Sequence, residues 1–172
     1  DLAKKIKPTN FLGYEKTSIK TSILSILKDF EEVTETTNHS KNYLIITENT
    51  CFYAESGGQV GDRGMIISQN TEFKVLDTKK TQQGIFIHFG ELISGSLTVG
   101  DEIELNINIS LRNSIKKNHS ATHLLHAALR NHLGNHVAQR GSLVNEEKLR
   151  FDFSHNKQIS KEQLSEIQSE VN

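Results

Sequence analysis

Residues 103–111 read IELNINISL, with an aliphatic side chain at every second position. Because successive side chains of a β-strand point to opposite faces of a sheet, this alternation predicts a strand with one buried and one solvated face. Further short segments rich in β-branched and aromatic residues lie upstream, separated by turn signals. Strands joined in this way by glycine-containing turns indicate a small β-barrel. The other predicted strands cover residues 43–47, 64–67, 73–76 and 85–89.

The composition excludes several classes of protein. The 172 residues include 20 Lys and Arg against 21 Asp and Glu, a formal net charge of −1, so neither a strongly basic nor an acidic disordered tail is present. No apolar run approaches the about 20 residues that a membrane-spanning helix needs. A single cysteine, Cys51, excludes an internal disulfide and favours the reducing cytoplasm. Because the chain begins with Asp1 and a helical pattern continues to Asn172, we expect a piece of a longer protein.

Residues 18–29 leave two interpretations open. Apolar residues at positions 19, 23, 26, 27 and 30 follow a helical spacing, whereas the abundance of Thr, Ser and Ile favours a strand. The residues by themselves do not decide between the two.

The pattern changes after Leu111. A helix is predicted over residues 114–133, because Gly134 is suited to the left-handed position that follows a helix. Two alternating segments follow, residues 137–144 and 149–153, and they predict a pair of strands. In the second strand the side chains predicted to point inward are those of Leu149, Phe151 and Phe153, and those predicted to point outward are Arg150 and Asp152.

A second helix is predicted from Ser160, whose hydroxyl forms a capping-box pattern with Gln163. The predicted fold class is therefore α+β. A β-barrel domain with an N-terminal linker occupies residues 1–112, and the first part of an α+β domain occupies residues 113–172. The predicted apolar stripe of the second helix consists of Leu164, Ile167 and Val171, with Ile159 placed for a hydrophobic staple.

The first of these helices carries a row of histidines on one face. His119 and His123 lie one turn apart, so both imidazoles can reach a single zinc ion at about 2.0–2.1 Å. A zinc site needs four ligands, or three and a water, and an isolated histidine pair is equally compatible with a solvated polar face. The metalloprotease pattern is excluded, because Ser120 stands where that pattern has Glu. His126 and Arg130 share the histidine face, and the opposite face, predicted to be buried, consists of Ala121, Leu124, Leu125 and Ala128.

Basic charge is concentrated in residues 112–157. Eight Lys and Arg occur there with three acidic residues, a net charge of +5, which leaves −6 for the rest of the chain. Six of the eight histidines lie in the same stretch. A basic patch of this size attracts phosphate groups without making the whole protein basic.

Two further segments each allow a structural and a functional interpretation. Residues 52–64 contain four glycines, which permit tight turns in a barrel loop or the close approach of a ligand or another backbone. Gln139, on a predicted strand, offers an amide that can hold a hydroxyl, an amine or a water, or is simply an exposed strand residue. Strand alternation groups Gln139 with Val137 and Gly141 on one face, and Arg140 with Ala138 and Ser142 on the other.

Four segments of the chain closely resemble, in order and in spacing, the editing region of alanyl-tRNA synthetases. The freestanding editing proteins related to this synthetase share the glycine loop and the histidine pair. The opening NFLGYE at residues 10–15 looks more like the synthetase itself, and the resemblance runs from about Phe11 to the end of the chain. The segments that carry it are residues 52–64, 119–130, 137–144 and 149–155.

The resemblance implies a translation-factor-like β-barrel followed by the α+β domain shared with threonyl-tRNA synthetase, and it favours a strand for residues 18–29. It also implies hydrolysis of the ester bond in seryl- or glycyl-tRNA(Ala), which clears mischarged tRNA. The parent class II synthetase joins alanine to tRNA(Ala) with ATP and Mg2+, but the residues of that synthetic site are not in this chain. The implied partners are the acceptor end of tRNA(Ala) and the remaining domains of the synthetase.

Individual roles follow from the same resemblance. His119 and His123 match two zinc ligands, but the family's other two, in a Cys-x-x-x-His motif, lie downstream, so we expect weak or no zinc binding and no activity of the chain alone. Gln139 matches a residue that positions substrate and water, because an amide does not titrate and cannot be a general base. Thr122 matches a pocket threonine that distinguishes the hydroxyl of serine from the methyl of alanine. The candidates for contact with phosphates of the acceptor end are Arg112, Lys116, Lys117, Arg130, Arg140 and Arg150.

Several alternatives stay open. Zinc would either activate a bound water or hold the amino group or ribose of the substrate while Gln139 orients water. His126 has no assigned role. The alternative function is a non-catalytic module that binds the acceptor stem of tRNA, which the basic stretch and the barrel would suit. A metal-dependent hydrolase of another substrate is disfavoured by the short ligand set.

Overall fold

The computed structural model describes residues 5–37 and 41–172. The expectation that rested on Asp1, and the parts of the predicted barrel domain at residues 1–4 and 38–40, lie outside the described residues. No helix in the described part of the chain is both long enough and apolar enough to cross a membrane.

The chain divides into two compact units. The first comprises the described part of Asp1–Ser56 together with Val60–Leu111, and the second comprises Gly57–Gln59 together with Arg112–Asn172. The sequence placed the whole glycine loop in the barrel, but three of its residues belong to the second unit.

The described residues of the first unit form nine strands: β1 (Asn10–Phe11), β2 (Ser18–Lys28), β3 (Glu31–Val33), β4 (Tyr43–Thr47), β5 (Asn49–Thr50), β6 (Gly64–Ser68), β7 (Thr71–Lys80), β8 (Phe86–Ser94) and β9 (Glu102–Ile107). Six of them close into an antiparallel barrel in the order β2, β4, β8, β7, β6, β9, and β9 pairs back to β2. Strand β3 extends β2 at one edge, and β1 pairs in parallel with β5. The predicted small β-barrel is confirmed.

Strand β2 resolves the two interpretations of residues 18–29 in favour of a strand. Thr21, Ile23 and Ser25 are all buried and occupy alternate positions. The apolar spacing looked helical because two of these buried positions are polar. Thr21 is tolerated there because its hydroxyl accepts a hydrogen bond of 3.0 Å from the backbone N–H of Asn49.

The last predicted strand is too long. Alternation with buried aliphatic side chains holds through Ile107, but helix α1 (Ile109–Leu133) begins two residues later. The Oδ1 atom of Asn108 accepts a hydrogen bond of 3.1 Å from the N–H of Leu111, which is an N-cap arrangement. The prediction of Ile109 and Leu111 as strand residues is therefore wrong, because a capping side chain ends the strand although the aliphatic alternation continues.

The second unit contains most of α1 and three further elements, which makes the chain α+β as predicted: β10 (Gln139–Val144), β11 (Leu149–Phe153) and α2 (Lys161–Val171). Helix α1 ends at the predicted place, before Gly134 with a φ of +112°. The predicted capping box of α2 is also confirmed. The N–H of Gln163 donates to the hydroxyl of Ser160 at 3.2 Å, and the N–H of Ser160 donates to the amide oxygen of Gln163 at 3.0 Å.

The core of the second unit joins both helices to the β10–β11 pair. The inward and outward faces of β11 are as predicted, since Arg150 and Asp152 are exposed while the phenylalanines pack on the core. Leu164 is 52% exposed, so the predicted stripe of α2 is reduced to Ile167 and Val171. The buried residues of this core are Ala128, Leu129, Val137 and Ile167.

Helix α1 buries only part of the face that was predicted, since Ala128 is buried and Leu125 packs against the core. Thr122 and Leu129, seven residues apart, are buried, whereas Leu124 is 55% exposed. At about 100° per residue, the buried face is turned by roughly a quarter of a turn from the predicted one. Thr122 can be buried because its hydroxyl donates a hydrogen bond of 2.8 Å to the carbonyl of Asn118, one turn earlier.

Candidate functional site

His119 and His123 form a pair of exposed imidazoles on α1. Their ring centroids are 4.9 Å apart, and the ring planes are tilted by 46°. The proximity follows from helix geometry, because residues four apart are neighbours on one face. The two rings therefore lie side by side.

Gln59 joins this pair, and the sequence did not identify it. The Nδ1–H of His119 donates a hydrogen bond of 2.7 Å to Oε1 of Gln59. In a neutral imidazole with its proton on Nδ1, the other nitrogen, Nε2, keeps its lone pair. Gln59 thus fixes the tautomer and the orientation of the His119 ring, and leaves Nε2 able to accept a proton or bind a metal ion. The only signal in the sequence was a polar side chain directly after two glycines.

Strand β10 positions Gln59, because Gln59 pairs with Val144 in an isolated parallel bridge. The N–H of Val144 donates a hydrogen bond of 2.8 Å to the carbonyl of Gly58. Gly58 has a φ of +86°, and a Cβ atom at this position would collide with Ser142. Glycine is required here by the close approach of another backbone, which is one of the interpretations that the sequence left open.

The histidine pair supplies two nitrogen ligands for a metal ion. In residues 5–37 and 41–172, no three side chains of His, Cys, Asp or Glu lie close enough together to hold one. A zinc site needs four ligands, or three and a water. The described residues therefore do not form a complete zinc site.

Thr122 stands between the two histidines in sequence but lies on the buried face of α1. Its hydroxyl proton is committed to the carbonyl of Asn118. Only the lone pairs of its oxygen remain to accept a hydrogen bond from a ligand.

Gln139 begins strand β10 at a β-bulge. It lies opposite Phe153, and Gly141 lies opposite Asp152, so Arg140 is the extra residue. Directly opposed residues of an antiparallel pair share a face, which puts Gln139 on the face of Phe153. The predicted grouping of Gln139 with Gly141 is wrong, because strict alternation does not hold across a bulge. The side chains of Gln139 and Arg140 are both exposed.

The basic residues predicted to contact phosphate differ in exposure. Arg112 is 7% exposed and lies among the buried residues of α1. Arg150 donates a hydrogen bond of 3.2 Å from Nε to Oδ2 of Asp152, which offsets part of its charge. The candidates on the surface are Lys116, Lys117, Arg130, Arg140 and Arg150.

His126 does not belong to an exposed row of three imidazoles. Its side chain is half-buried, and its ring lies 5.0 Å from that of Phe151. The Nε2 atom of His126 is buried and has no hydrogen-bond partner among the residues that the structure describes. The ring therefore serves as packing between α1 and β11, and the prediction of His126 on the exposed histidine face is wrong.

His88 is a strongly perturbed titratable group, and it lies in the barrel. Complete burial lowers its pKa to about 4. The Nδ1–H of His88 donates a hydrogen bond of 2.9 Å to the carbonyl of Ile45, and Nε2 accepts a hydrogen bond of 2.8 Å from the hydroxyl of Thr50. Both ring nitrogens are satisfied in the neutral form, so His88 is a structural residue.

Comparison with known proteins identifies the family to which the chain is similar. Residues 1–111 match the family described as tRNA synthetases class II (A). The chain is 45% identical to a protein of Parvibaculum lavamentivorans over its whole length, and 48% identical to proteins of Pseudomonas syringae pv. tomato and of Ruthia magnifica over 95% of its length. Each of the three relatives is named alanine--tRNA ligase. The chain spans 18–19% of the length of these relatives.

Proposed function

Because the chain belongs to the class II (A) tRNA synthetases, we propose that it carries the editing region of an alanyl-tRNA synthetase and takes part in hydrolysing seryl- or glycyl-tRNA(Ala). The observation that carries the proposal is the side-by-side pair of His119 and His123, with Nδ1 of His119 held by Gln59. The name shared by the relatives, alanine--tRNA ligase, supports tRNA as the substrate class.

In this proposal His119 and His123 are two ligands of a zinc ion. The hydrogen bond to Gln59 supports that role, because it leaves Nε2 of His119 free for coordination. The other ligands would come from outside the described residues, so we expect the 172-residue chain to hold zinc weakly and to be inactive alone.

Gln139 and Thr122 are the proposed substrate contacts. The amide of Gln139 is exposed at the β-bulge, where it can both donate to and accept from a substrate or a water. The oxygen of Thr122 can accept a hydrogen bond from the hydroxyl of a seryl group. An alanyl group has no such hydroxyl, so a site built around this contact disfavours it.

The proposed partners are the acceptor end of tRNA(Ala) and the remaining domains of a larger synthetase. The exposed basic residues Lys116, Lys117, Arg130 and Arg140 support contacts with phosphate groups. ATP and Mg2+ would act only in the aminoacylation domains of that larger enzyme, and the cytoplasm is its proposed location.

The test is deacylation of Ser-tRNA(Ala) by the full-length synthetase loaded with zinc. We expect Gln139→Ala to lower kcat/KM by at least about tenfold, because it removes a positioning amide. Gln168→Ala is the matched control, since Gln168 is an exposed glutamine on α2, and it should leave the rate unchanged. A wild-type enzyme that leaves Ser-tRNA(Ala) intact would contradict the editing function.

A second candidate is a module that binds the acceptor stem without chemistry. The exposed Lys116, Lys117 and Arg130 of α1 favour it. Salt-dependent binding of tRNA(Ala) together with no hydrolysis by the full-length enzyme would support this candidate over editing.

A further inference from the structure

A pocket of about 360 Å³ in the second unit is distinct from the histidine pair on α1. Besides Leu133, it is lined by His136, His155, Asn156, Lys157, Gln158 and Gln163. None of these lining side chains is acidic. We propose that this pocket binds a phosphate group of an RNA backbone. This inference rests on the proposed function, because it adds a phosphate contact to the RNA-binding surface.

Two imidazoles hydrogen-bonded to each other form the centre of the pocket. Nε2 of His136 and Nδ1 of His155 are 2.8 Å apart, and the ring planes differ by 21°. One of the two rings supplies the proton of this hydrogen bond. The outer nitrogens, which are those that take no part in it, are Nδ1 of His136 and Nε2 of His155. In a neutral pair, either arrangement of protons leaves one outer nitrogen as an N–H donor. The pair can therefore always donate one hydrogen bond to a ligand.

The backbone holds the two histidines in place. The N–H of Ser154 donates a hydrogen bond of 3.0 Å to the carbonyl of Ala138, just beyond the paired strands. Val137, next to His136, is buried in the core of the unit. His155 itself is half-buried. The pair is thus built by strand pairing and core packing on both sides.

The donors of the pocket suit a phosphate better than a metal ion. Lys157 contributes an ammonium group, and Asn156 and Gln158 contribute amide N–H donors. A phosphate offers several acceptor oxygens to such a set. A metal site would need a third ligand, and the described residues bring no third His, Cys, Asp or Glu side chain into such a group.

The first experiment measures binding of a fluorescent acceptor-stem RNA hairpin to the 172-residue chain by anisotropy at several salt concentrations. Lys157→Gln should weaken binding by about threefold and lower the slope of log K against log salt by about 0.7–0.9, the loss of one phosphate contact. Lys161→Gln, the same change at an exposed lysine outside the pocket, is the matched control and should keep the wild-type slope. Equal affinity and slope for Lys157→Gln and wild type would overturn the pocket and leave the proposed function standing.

The second experiment uses inorganic phosphate and the imidazole signals of 15N-labelled histidines. We expect phosphate to shift the signals of His136 and His155 and not that of His132, and His155→Asn to abolish the shift at His136. If phosphate shifts the imidazole signals of His136 and His155 but the chain does not bind the hairpin, the result would support the phosphate site and count against the RNA function. Unchanged signals of the pair at saturating phosphate would overturn the inference, provided that circular dichroism shows an intact fold.

Discussion

Replacement of His88 by glutamine should flatten the acid sensitivity of the barrel. Burial holds the pKa of His88 at about 4 in the folded protein, against 6.5 in the unfolded chain. Between these values the unfolded chain binds a proton that the folded barrel does not, so stability is fully present above pH 6.5 and falls as the pH drops towards 4. Glutamine can hydrogen-bond but does not titrate.

The size of the effect follows from the two pKa values. At about 1.4 kcal/mol per pKa unit, the whole shift corresponds to about 3 kcal/mol. At pH 5 about 2 kcal/mol of that has been lost relative to neutral pH. Since domains are stable by about 5–15 kcal/mol, such a loss is readily measured.

Urea unfolding followed by tyrosine fluorescence isolates the barrel, because the chain has no tryptophan and its three tyrosines all lie in the first unit. We expect His88→Gln to be less stable than wild type at pH 7.5, because glutamine replaces a ring that satisfies two partners. That deficit should shrink by about 2 kcal/mol at pH 5. His123→Gln, the same change at an exposed histidine of α1, should retain the wild-type pH dependence. A deficit that stays constant from pH 7.5 to pH 5 would refute the assignment of His88 as a buried neutral ring.

Four further substitutions test the second unit by thermal and urea unfolding. Gly58→Ala should destabilise the unit by more than about 2 kcal/mol, because the new Cβ atom combines a positive φ with a collision against Ser142. Gly57→Ala should cost only about 1 kcal/mol of conformational strain, because no described atom lies within 4 Å of its Cβ position. Equal effects of the two substitutions would contradict the close approach of the backbone at Gly58. Ser160→Ala should cost about 1 kcal/mol through loss of the N-cap of α2, and no change would mean that the capping box contributes nothing. His126→Phe should be neutral or stabilising by up to about 1 kcal/mol, because it removes a buried nitrogen that has no hydrogen-bond partner among the described residues and keeps the ring contact with Phe151. A loss of stability above about 2 kcal/mol would show that the nitrogen has a partner.

The elements that the sequence predicted correctly are those whose causes are local. Gly134 ends α1 and Ser160 begins α2 because a left-handed residue and a capping hydroxyl act within a few positions of the chain. The same locality explains the strand that was extended too far. Alternation continued to Leu111, and only the side chain of Asn108 marked the change to a helix.

Sequence patterns did not predict the contacts between residues that are far apart along the chain. The pairing of β9 with β2 closes the barrel, and neither strand contains a signal for the other. The face of α1 was misjudged because a threonine that bonds to its own helix can be buried like an apolar residue. The bulge at Arg140 changed the face of Gln139 in a strand whose alternation looked regular.

The candidate site shows how both kinds of cause combine in one cluster. Helix periodicity alone places His119 beside His123, so their spacing was enough to pair them. Gln59, sixty residues before His119 in the sequence, fixes the orientation of the His119 ring through its hydrogen bond to Nδ1. Gln59 can reach His119 because Gly58, which has no side chain, allows this segment to lie against β10. A glycine that looks like a turn residue therefore controls the tautomer of a histidine on a different element. Substitutions at Gly58 should consequently change the chemistry of the His119 ring as well as the stability of the unit, a coupling that neither motif reveals when it is considered by itself.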